Sequence, residues 1–532
     1  MLGTQVVSDL KLQTLGDHIP LKTTWGYSEF QTGILDLSAA EATLKRRQLP
    51  LLALKANPSV CSSIADTLAS ISPNTAAIDD TIHQKDERIS ESVLQILWKS
   101  SHVGAVLNSS PLAMNLLIGW RTLIIPFFAV IAPLIAVVVP FFLLPYMHPG
   151  LRLTTDDYLA HVRNVLRSQI TIPSFLRAKQ ADDIMGFVLE SVFIALTIGM
   201  FMSGIWSQIS NALHLRTIWF DLEARGEAIQ HLYRSAGSVL KALESLPEKA
   251  AKGCSELIQK GRAAYKGCAE LEGLDGVATF GSVWNNPTPL QTLKSWIAHL
   301  DCLTAIARLE GICFPVILRD SPAFLKLTGV HHPAVSGCIS NDLQTLASTH
   351  ILLTGPNRGG KSTYCQSVGL AVVCAQTWGF AWAQSMSWTP FDSVLTALES
   401  SGKLGLMSTF ETEIEFAKSV LAFSGLDGEL GGRKKSFVMM DEIFHSTNAA
   451  DGLAASQVFL SQLYAKYGLV SIVSTHYKDL AEIYKNQAMP LCMEATEQED
   501  KTLAYSYKVV PGISDKSSVM EILKERGLVA AL

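Results

Sequence analysis

Thr354-Gly355-Pro356-Asn357-Arg358-Gly359-Gly360-Lys361-Ser362-Thr363 is the stretch whose reading decides the fold. It carries the spacing G-x-x-x-x-G-K-[ST]. A short apolar run, Ile351-Leu352-Leu353, precedes it, and a helix-like segment from Ser362 to Trp378 follows and stops at Gly379. A phosphate-binding loop needs this strand, loop, helix order. The glycines let backbone N–H groups wrap the phosphates, the helix N-terminus adds its dipole, Lys361 reaches the outer phosphates, and the Ser362 hydroxyl can ligate Mg²⁺. A chance glycine turn would satisfy the loop pattern alone, so the reading turns on whether its partners are present.

They are. Ser436 to Met440 reads as a strand and ends in Asp441-Glu442. That is the place for one carboxylate that holds Mg²⁺ and a second that orients the attacking water. Leu469 to Ser474 reads as another buried strand, β-branched and apolar, and ends in Thr475-His476-Tyr477. The C-terminal ends of strands are where a parallel α/β sheet keeps its ligands. Alone, His476 would read as structural. Third in this order, it reads as a γ-phosphate sensor.

Two more blocks flank Asp441. Before it lies Met407-Ser408-Thr409-Phe410-Glu411-Thr412-Glu413-Ile414, and after Glu442 comes Ile443-Phe444-His445-Ser446-Thr447-Asn448-Ala449-Ala450-Asp451-Gly452. With these in place the chain resembles the MutS family of mismatch-repair ATPases, a branch of the ABC-type ATPases. The TGPNRGGKST loop, the STFETEI segment, the MMDEIFHSTNAADG block and the STHY ending occur in the family's order. Weaker similarity reaches upstream to Leu327 through Val335 and to Ser340-Asn341-Asp342, and downstream to Tyr507 through Gly512. It covers roughly the last 240 residues, more than one ATPase domain of typical size.

The resemblance implies an α/β P-loop (ABC-type) ATPase domain at the C-terminus, preceded by an α-helical core or lever region. It implies ATP and Mg²⁺ as cofactors. Gly355, Pro356, Asn357, Arg358, Gly359, Gly360, Lys361, Ser362 and Thr363 would surround the phosphates, with Asn357 and Lys361 touching them and Ser362 and Asp441 on the metal. It further implies that Glu442 orients water, that His476 senses the γ-phosphate, and that Ser408 reaches a nucleotide held by a second subunit. Composite sites in a homodimer follow. The chain departs from the family at Phe444-His445-Ser446-Thr447-Asn448, where mismatch-repair members carry a Gly-rich, Ser/Thr-containing turn. The departure bears on coupling to a DNA-bound state rather than on catalysis.

Composition bounds the rest. A chain of 532 residues predicts several domains, and a formal net charge of −5 argues against a wholesale nucleic-acid coat, so any contact with duplex or branched DNA must be local. The nine cysteines include no C-x-x-C pair, so neither a zinc site nor a disulfide framework is expected. A reduced protein whose ATPase faces the cytosol fits.

Thr122 to Met147 contains no charged residue, longer than the roughly 20 apolar residues that span a bilayer, and Ile184 to Trp206 is a second such segment broken only by Glu190. The alternative for each is a buried core helix. No secretory signal is read in the first residues, where Asp9, Lys11 and Asp17 interrupt any apolar core. Pro126, Pro133, Pro140 and Pro145 leave two readings of the first segment, a kinked spanning helix or a hairpin that enters and returns. The connecting stretch holds Arg152, Arg163, Arg167, Arg177 and Lys179, and simple crossing by both segments would place this basic loop outside, against the positive-inside tendency. Within it Thr155 is expected to cap a helix starting at Asp156-Asp157. Membrane insertion, with lipid as a partner, is the expectation, and its topology stays open.

Four regions result: a mainly helical 1–110 with no catalytic constellation, a membrane region 111–215 with apolar segments 122–147 and 184–206, a helical lever or core 216–325, and the ATPase 326–532. In the third, Leu222 to Leu271 reads as two mostly solvated helices divided at Pro247, and Leu290 to Leu309 as another. Its Leu300-Asp301-Cys302-Leu303 resembles the core segment that precedes the ATPase in MutS relatives. The levers that carry a DNA clamp in those relatives would end here in the bilayer. The N-terminal region is expected to leave no room for separate mismatch-reading and connector domains, and it shows no Phe-x-Glu wedge. Two functions follow: a membrane-anchored MutS-like ATPase acting on DNA without classical mismatch reading, or a DNA-independent membrane-remodelling or regulatory ATPase.

Overall fold

The computed structural model describes residues 2–83, 93, 96–98, 102–148, 154–169, 184–319, 322–345, 350–398, 409–423, 434–498 and 502–526. They group into two compact units. The first takes Met1–Ser72, Ser235–Ala264 and Leu293–Leu532, and the second Pro73–Arg234 and Tyr265–Thr292.

Among the described residues ten strands, all in the first unit, make two sheets. In chain order they are β1 (Val316–Ile317), β2 (Leu325–Val330), β3 (Asn341–Gln344), β4 (His350–Thr354), β5 (Ser385–Trp388), β6 (Ser393–Ala397), β7 (Ser436–Met440), β8 (Leu469–Ser474), β9 (Met489–Glu497) and β10 (Leu503–Pro511). The larger sheet has the order β10-β9-β4-β8-β7-β6 and the smaller β1-β5-β2-β3. From β9 to β6 all neighbours of the larger sheet run parallel, and β10 alone is antiparallel. Every residue of β4, β7 and β8 is buried, as expected of parallel strands covered on both faces. The helix Lys361–Thr377 starts directly from the loop after β4. Its predecessor Gly360 has φ 95°, a left-handed conformation that glycine adopts at little cost.

The N-terminal residues belong to this unit. The short helix Thr4–Asp9 lies against β6, the edge strand of the larger sheet. The fully buried Asp9 carboxylate accepts from the Thr396 hydroxyl (2.7 Å) and the Leu398 N–H (3.0 Å), while its carbonyl accepts from the Gln366 amide (3.1 Å). A second staple lies at Asp301 in the helix Thr288–Arg308. Its buried carboxylate accepts from the backbone of Lys22 and Thr23 and from the Thr23 hydroxyl (2.7 Å). Thr23 in turn caps the helix Thr24–Gly33. A side chain at Gly26 would begin 2.4 Å from the Asp301 carboxylate, so glycine is required there.

The second unit is helical, and the sequence expectations there need four changes. The expected apolar segment 122–147 is helical, as is its N-terminal extension: Pro111–Gly119, a π-helical Trp120–Ile124 and Ile125–Met147 follow one another without a break. Of the two readings of its prolines, the continuous helix is the one adopted. Among the described residues one helix, Pro111–Ala132, is long and apolar enough to cross a membrane by length and composition, and little of it is buried. Second, the expected segment 184–206 and the first lever helix are a single helix of 61 residues, Ile184–Glu244, because no residue between them breaks the backbone pattern. Third, the first lever helix is not mostly solvated there: Leu222, Ile229 and Leu232 are buried. Last, the cap of the helix Thr155–Gln169 is Thr154, whose hydroxyl accepts from the Asp157 N–H (3.2 Å). Much of the basic connecting stretch, and residues 84–92 and 94–95 of the mainly helical 1–110, lie outside the described residues.

His350 opens β4 with its ring 4.4 Å from that of Tyr464 and its Nδ1 2.9 Å from the Ser471 hydroxyl. Burial pushes its pKa down to about 4. The unfolded chain takes up this proton near the usual 6.5 and the folded chain does not. The stability from neutral His350 is therefore complete above that value and falls by about 3 kcal/mol as pH drops to about 4. Urea unfolding at pH 7.5 and pH 4 should show an acid loss smaller by that amount in His350→Gln, and equal losses in the two proteins would refute the assignment.

Candidate nucleotide site

The parallel register brings three strand ends level. Leu353 of β4 pairs with Ser474 of β8, and Met440 of β7 pairs with Val473. The residues that follow these strands, the loop 355–360, Asp441-Glu442 and Thr475-His476, therefore meet at one edge of the sheet, where open α/β sheets bind ligands.

There the Asp441 carboxylate receives two hydroxyls, Ser362 on one oxygen and Ser474 on the other. The Ser474 hydroxyl also accepts the Glu442 N–H (3.0 Å), so one side chain holds both acidic residues. The Asp441 N–H donates to Ala397 O (2.8 Å) at the end of β6. Glu442 has φ 52°, a left-handed conformation that costs a non-glycine residue on the order of 1 kcal/mol and concentrates at functional sites. Its Oε1 lies 2.6 Å from His476 Nε2 and 4.0 Å from Lys361 Nζ. The His476 hydrogen bond, more than the Lys361 charge, holds Glu442 below the usual carboxylate range, so it is anionic and ready to accept a hydrogen bond from water.

Lys361 is buried and donates to the carbonyls of Gly355 (3.1 Å) and Pro356 (3.3 Å). Burial lowers its pKa, and the charges of Glu442 and Asp441 oppose that shift. Asn357 is exposed at the mouth of the loop, and Arg358, at φ 67°, pairs with Glu525 (2.5 Å) of the helix Val519–Glu525. Ser408 lies outside the described residues; the helix Thr409–Phe423 begins at the next position. That helix brings Glu413 within 3.2 Å of His445 Nδ1, joining the STFETEI segment to the block after Glu442. Asn448 ends the departing turn by capping the helix Ala449–Tyr464.

The cavity beside the loop measures ≈ 530 Å³, within the range of small-molecule sites. Beyond the phosphate end it is walled by Val335, Ile339, Met493 and Tyr507, a surface suited to a flat heteroaromatic ring. The Asn341 side chain fixes this wall, donating to Tyr507 O (2.9 Å) and accepting from the Val509 N–H (2.8 Å). Ser474 and Tyr507 were not singled out from sequence. Ser474 looked like one more strand residue, and only the level strand ends reveal its place between two carboxylates.

The Ser362 hydroxyl and the Asp441 carboxylate in direct contact form a hard-oxygen pair that fits Mg²⁺. Bound there, Mg²⁺ would neutralise charge on the β- and γ-phosphates.

Residues 351–531 match the family model described as MutS domain V. The chain is 31% identical over 258 residues to the DNA mismatch repair protein Msh6 of Homo sapiens, covering 43% of this chain and 18% of that protein. It is 30% identical over 256 residues to the DNA mismatch repair protein MutS of Lactobacillus helveticus, covering 46% and 29%. The match therefore takes in less than a third of the length of these curated relatives. MutS domain V is a P-loop ATPase domain, and the site's geometry is consistent with ATPase activity.

Removing the Ser474 hydroxyl should loosen Asp441 and Glu442 together. Ser474→Ala is expected to lower kcat for Mg²⁺-dependent ATP hydrolysis about tenfold or more, the scale of one hydrogen bond to a charged group, with KM for ATP changed less than about twofold. Steady-state assays over a range of ATP check it, and an unchanged kcat would remove Ser474 from the machinery.

Proposed function

We propose that the chain is a MutS-family ATPase anchored in a membrane, working as a homodimer with composite sites. The observation that carries the ATPase reading is the meeting of Lys361, Ser362, Asp441, Glu442 and His476 at one sheet edge. ATP would lie with its base on the Tyr507 wall and its phosphates in the loop. Glu442 orients a water for in-line attack on the γ-phosphorus. As the new P–O bond forms, the bond to the β–γ bridging oxygen breaks, ADP leaves with that oxygen, and the water's proton passes toward Glu442. Lys361 offsets the charge on the outer phosphates, and His476, bonded to Glu442, registers whether the γ-phosphate is present.

Support for the anchor comes from exposed apolar side chains along one helix, among them Leu123, Phe127, Phe128 and Phe142. The ATPase would then face the cytosol. The relatives' names support DNA as the target, and the chain's net charge limits that contact to local phosphate pairing. The second reading, a remodelling or regulatory ATPase that no longer touches DNA, is favoured by the departing turn, which His445 and Asn448 fix by their own contacts.

Glu442→Gln should bind ATP, stop hydrolysis and accumulate as an ATP-bound dimer. Light scattering on the detergent-solubilised variant with ATP and Mg²⁺ checks this, and a monomer under those conditions defeats the composite-site model.

Duplex binding should weaken steeply with salt and differ less than about tenfold between matched and mismatched DNA, because phosphate contacts carry no pairing information. Anisotropy at two salt concentrations decides: a stronger mismatch preference restores a repair role, and no binding at low salt selects the DNA-independent reading.

A further inference from the structure

The second unit contains an apolar groove that the nucleotide chemistry does not use. It lies between the stretch 115–126 and residues 209–220 of the long helix and measures ≈ 660 Å³. Ile118, Leu123, Pro126, Leu213, Trp219 and Phe220 form its walls, and no acidic residue lines it. One cation does. Arg216 is exposed, its guanidinium carbon sits 5.6 Å from the centre of the Phe220 ring, and no carboxylate pairs with it among the described residues.

The groove sits where packing gives way to bare apolar surface. On its inner side Met114, Leu215 and Leu222 are buried in a core with Val277 and Phe280. On its outer side Leu123 is 71% exposed, Leu213 59% and Trp206 70%. An exposed Trp120 and a half-buried Arg121 stand at that same level, adding an aromatic ring and a cation beside the apolar surface. The backbone is also unusual there. Trp120–Ile124 winds as a π-helix, a rare form concentrated at functional sites. Gly119 has nothing within 4 Å of where a side chain would begin, which leaves the opening clear.

We propose that this groove binds an anionic phospholipid, with an acyl chain along the apolar walls and the phosphate on Arg216. A guanidinium presents two parallel donors to a phosphate and is weakly hydrated, so it suits a headgroup at an apolar rim. A zwitterionic headgroup brings its own cation and gains less from the same site. The assignment rests on the membrane reading above.

The test incubates the full detergent-solubilised chain with an equimolar mixture of phosphatidylglycerol and phosphatidylcholine, repurifies it, and quantifies retained phospholipid by mass spectrometry. The wild-type chain should retain phosphatidylglycerol about tenfold over phosphatidylcholine, the scale of one charge-assisted pair. Arg216→Glu should lose the preference, Arg216→Lys should keep part of it, and Gly119→Leu should retain less of both lipids. Equal retention by the wild type, or an undiminished preference in Arg216→Glu, overturns the proposal. Alkaline carbonate washing of membranes bearing the same proteins keeps the two readings apart. Wild type and Arg216→Glu should both stay in the pellet, and release of the wild type sinks the anchor itself whatever the lipid result.

Discussion

The Asp441 carboxylate, clasped between the hydroxyls of Ser362 and Ser474, is the contact on which the rest of the site depends. It ties the ends of three strands, and it forms only if β4, β8 and β7 keep their register. Alternate residues of a strand face opposite sides, so a slip of one position would turn Ser474 away and separate the two acids. Full burial of all three strands resists that slip, because it would drag apolar side chains through a close-packed interior. Catalytic geometry and core packing are thus one constraint seen from two ends.

What could be read from the chain follows from what is local. The strands around the loop, Asp441 and His476 were visible because short β-branched runs and a phosphate loop carry their signals within ten residues of sequence. β7 and β8 emerge with the expected boundaries, and the loop helix is displaced by one residue. Ser474, Asn341 and Tyr507 were not visible as a set, because their significance comes from strands that meet across 33 residues for Ser474 and Asp441 and 166 for Asn341 and Tyr507. The staple at Asp301 was likewise hidden. A lone aspartate in an apolar helix gives no hint that Lys22 and Thr23 supply its donors.

The long helix shows a different limit. Its first part is apolar around much of its circumference, and its last part alternates charge with buried leucines, so composition suggested two elements with two fates. The backbone has no such division. Helical hydrogen bonding asks only for the absence of prolines and of glycine clusters, and Ile184–Glu244 meets that condition over some 90 Å of rise. Solvent preference changes along the helix while the helix itself continues.

The short helix Thr4–Asp9 has a consequence for how this protein comes to be made. Asp9 reaches Thr396 and Leu398 across more than 380 positions, and its helix lies against β6, the edge strand of the larger sheet. Thr4–Asp9 is therefore synthesised more than 380 residues before the strand it docks on, and it stays undocked until β6 has been made. Contacts of such sequence separation slow folding through the entropy of closing the intervening loop. Docking of this helix thus waits on a strand made long after it.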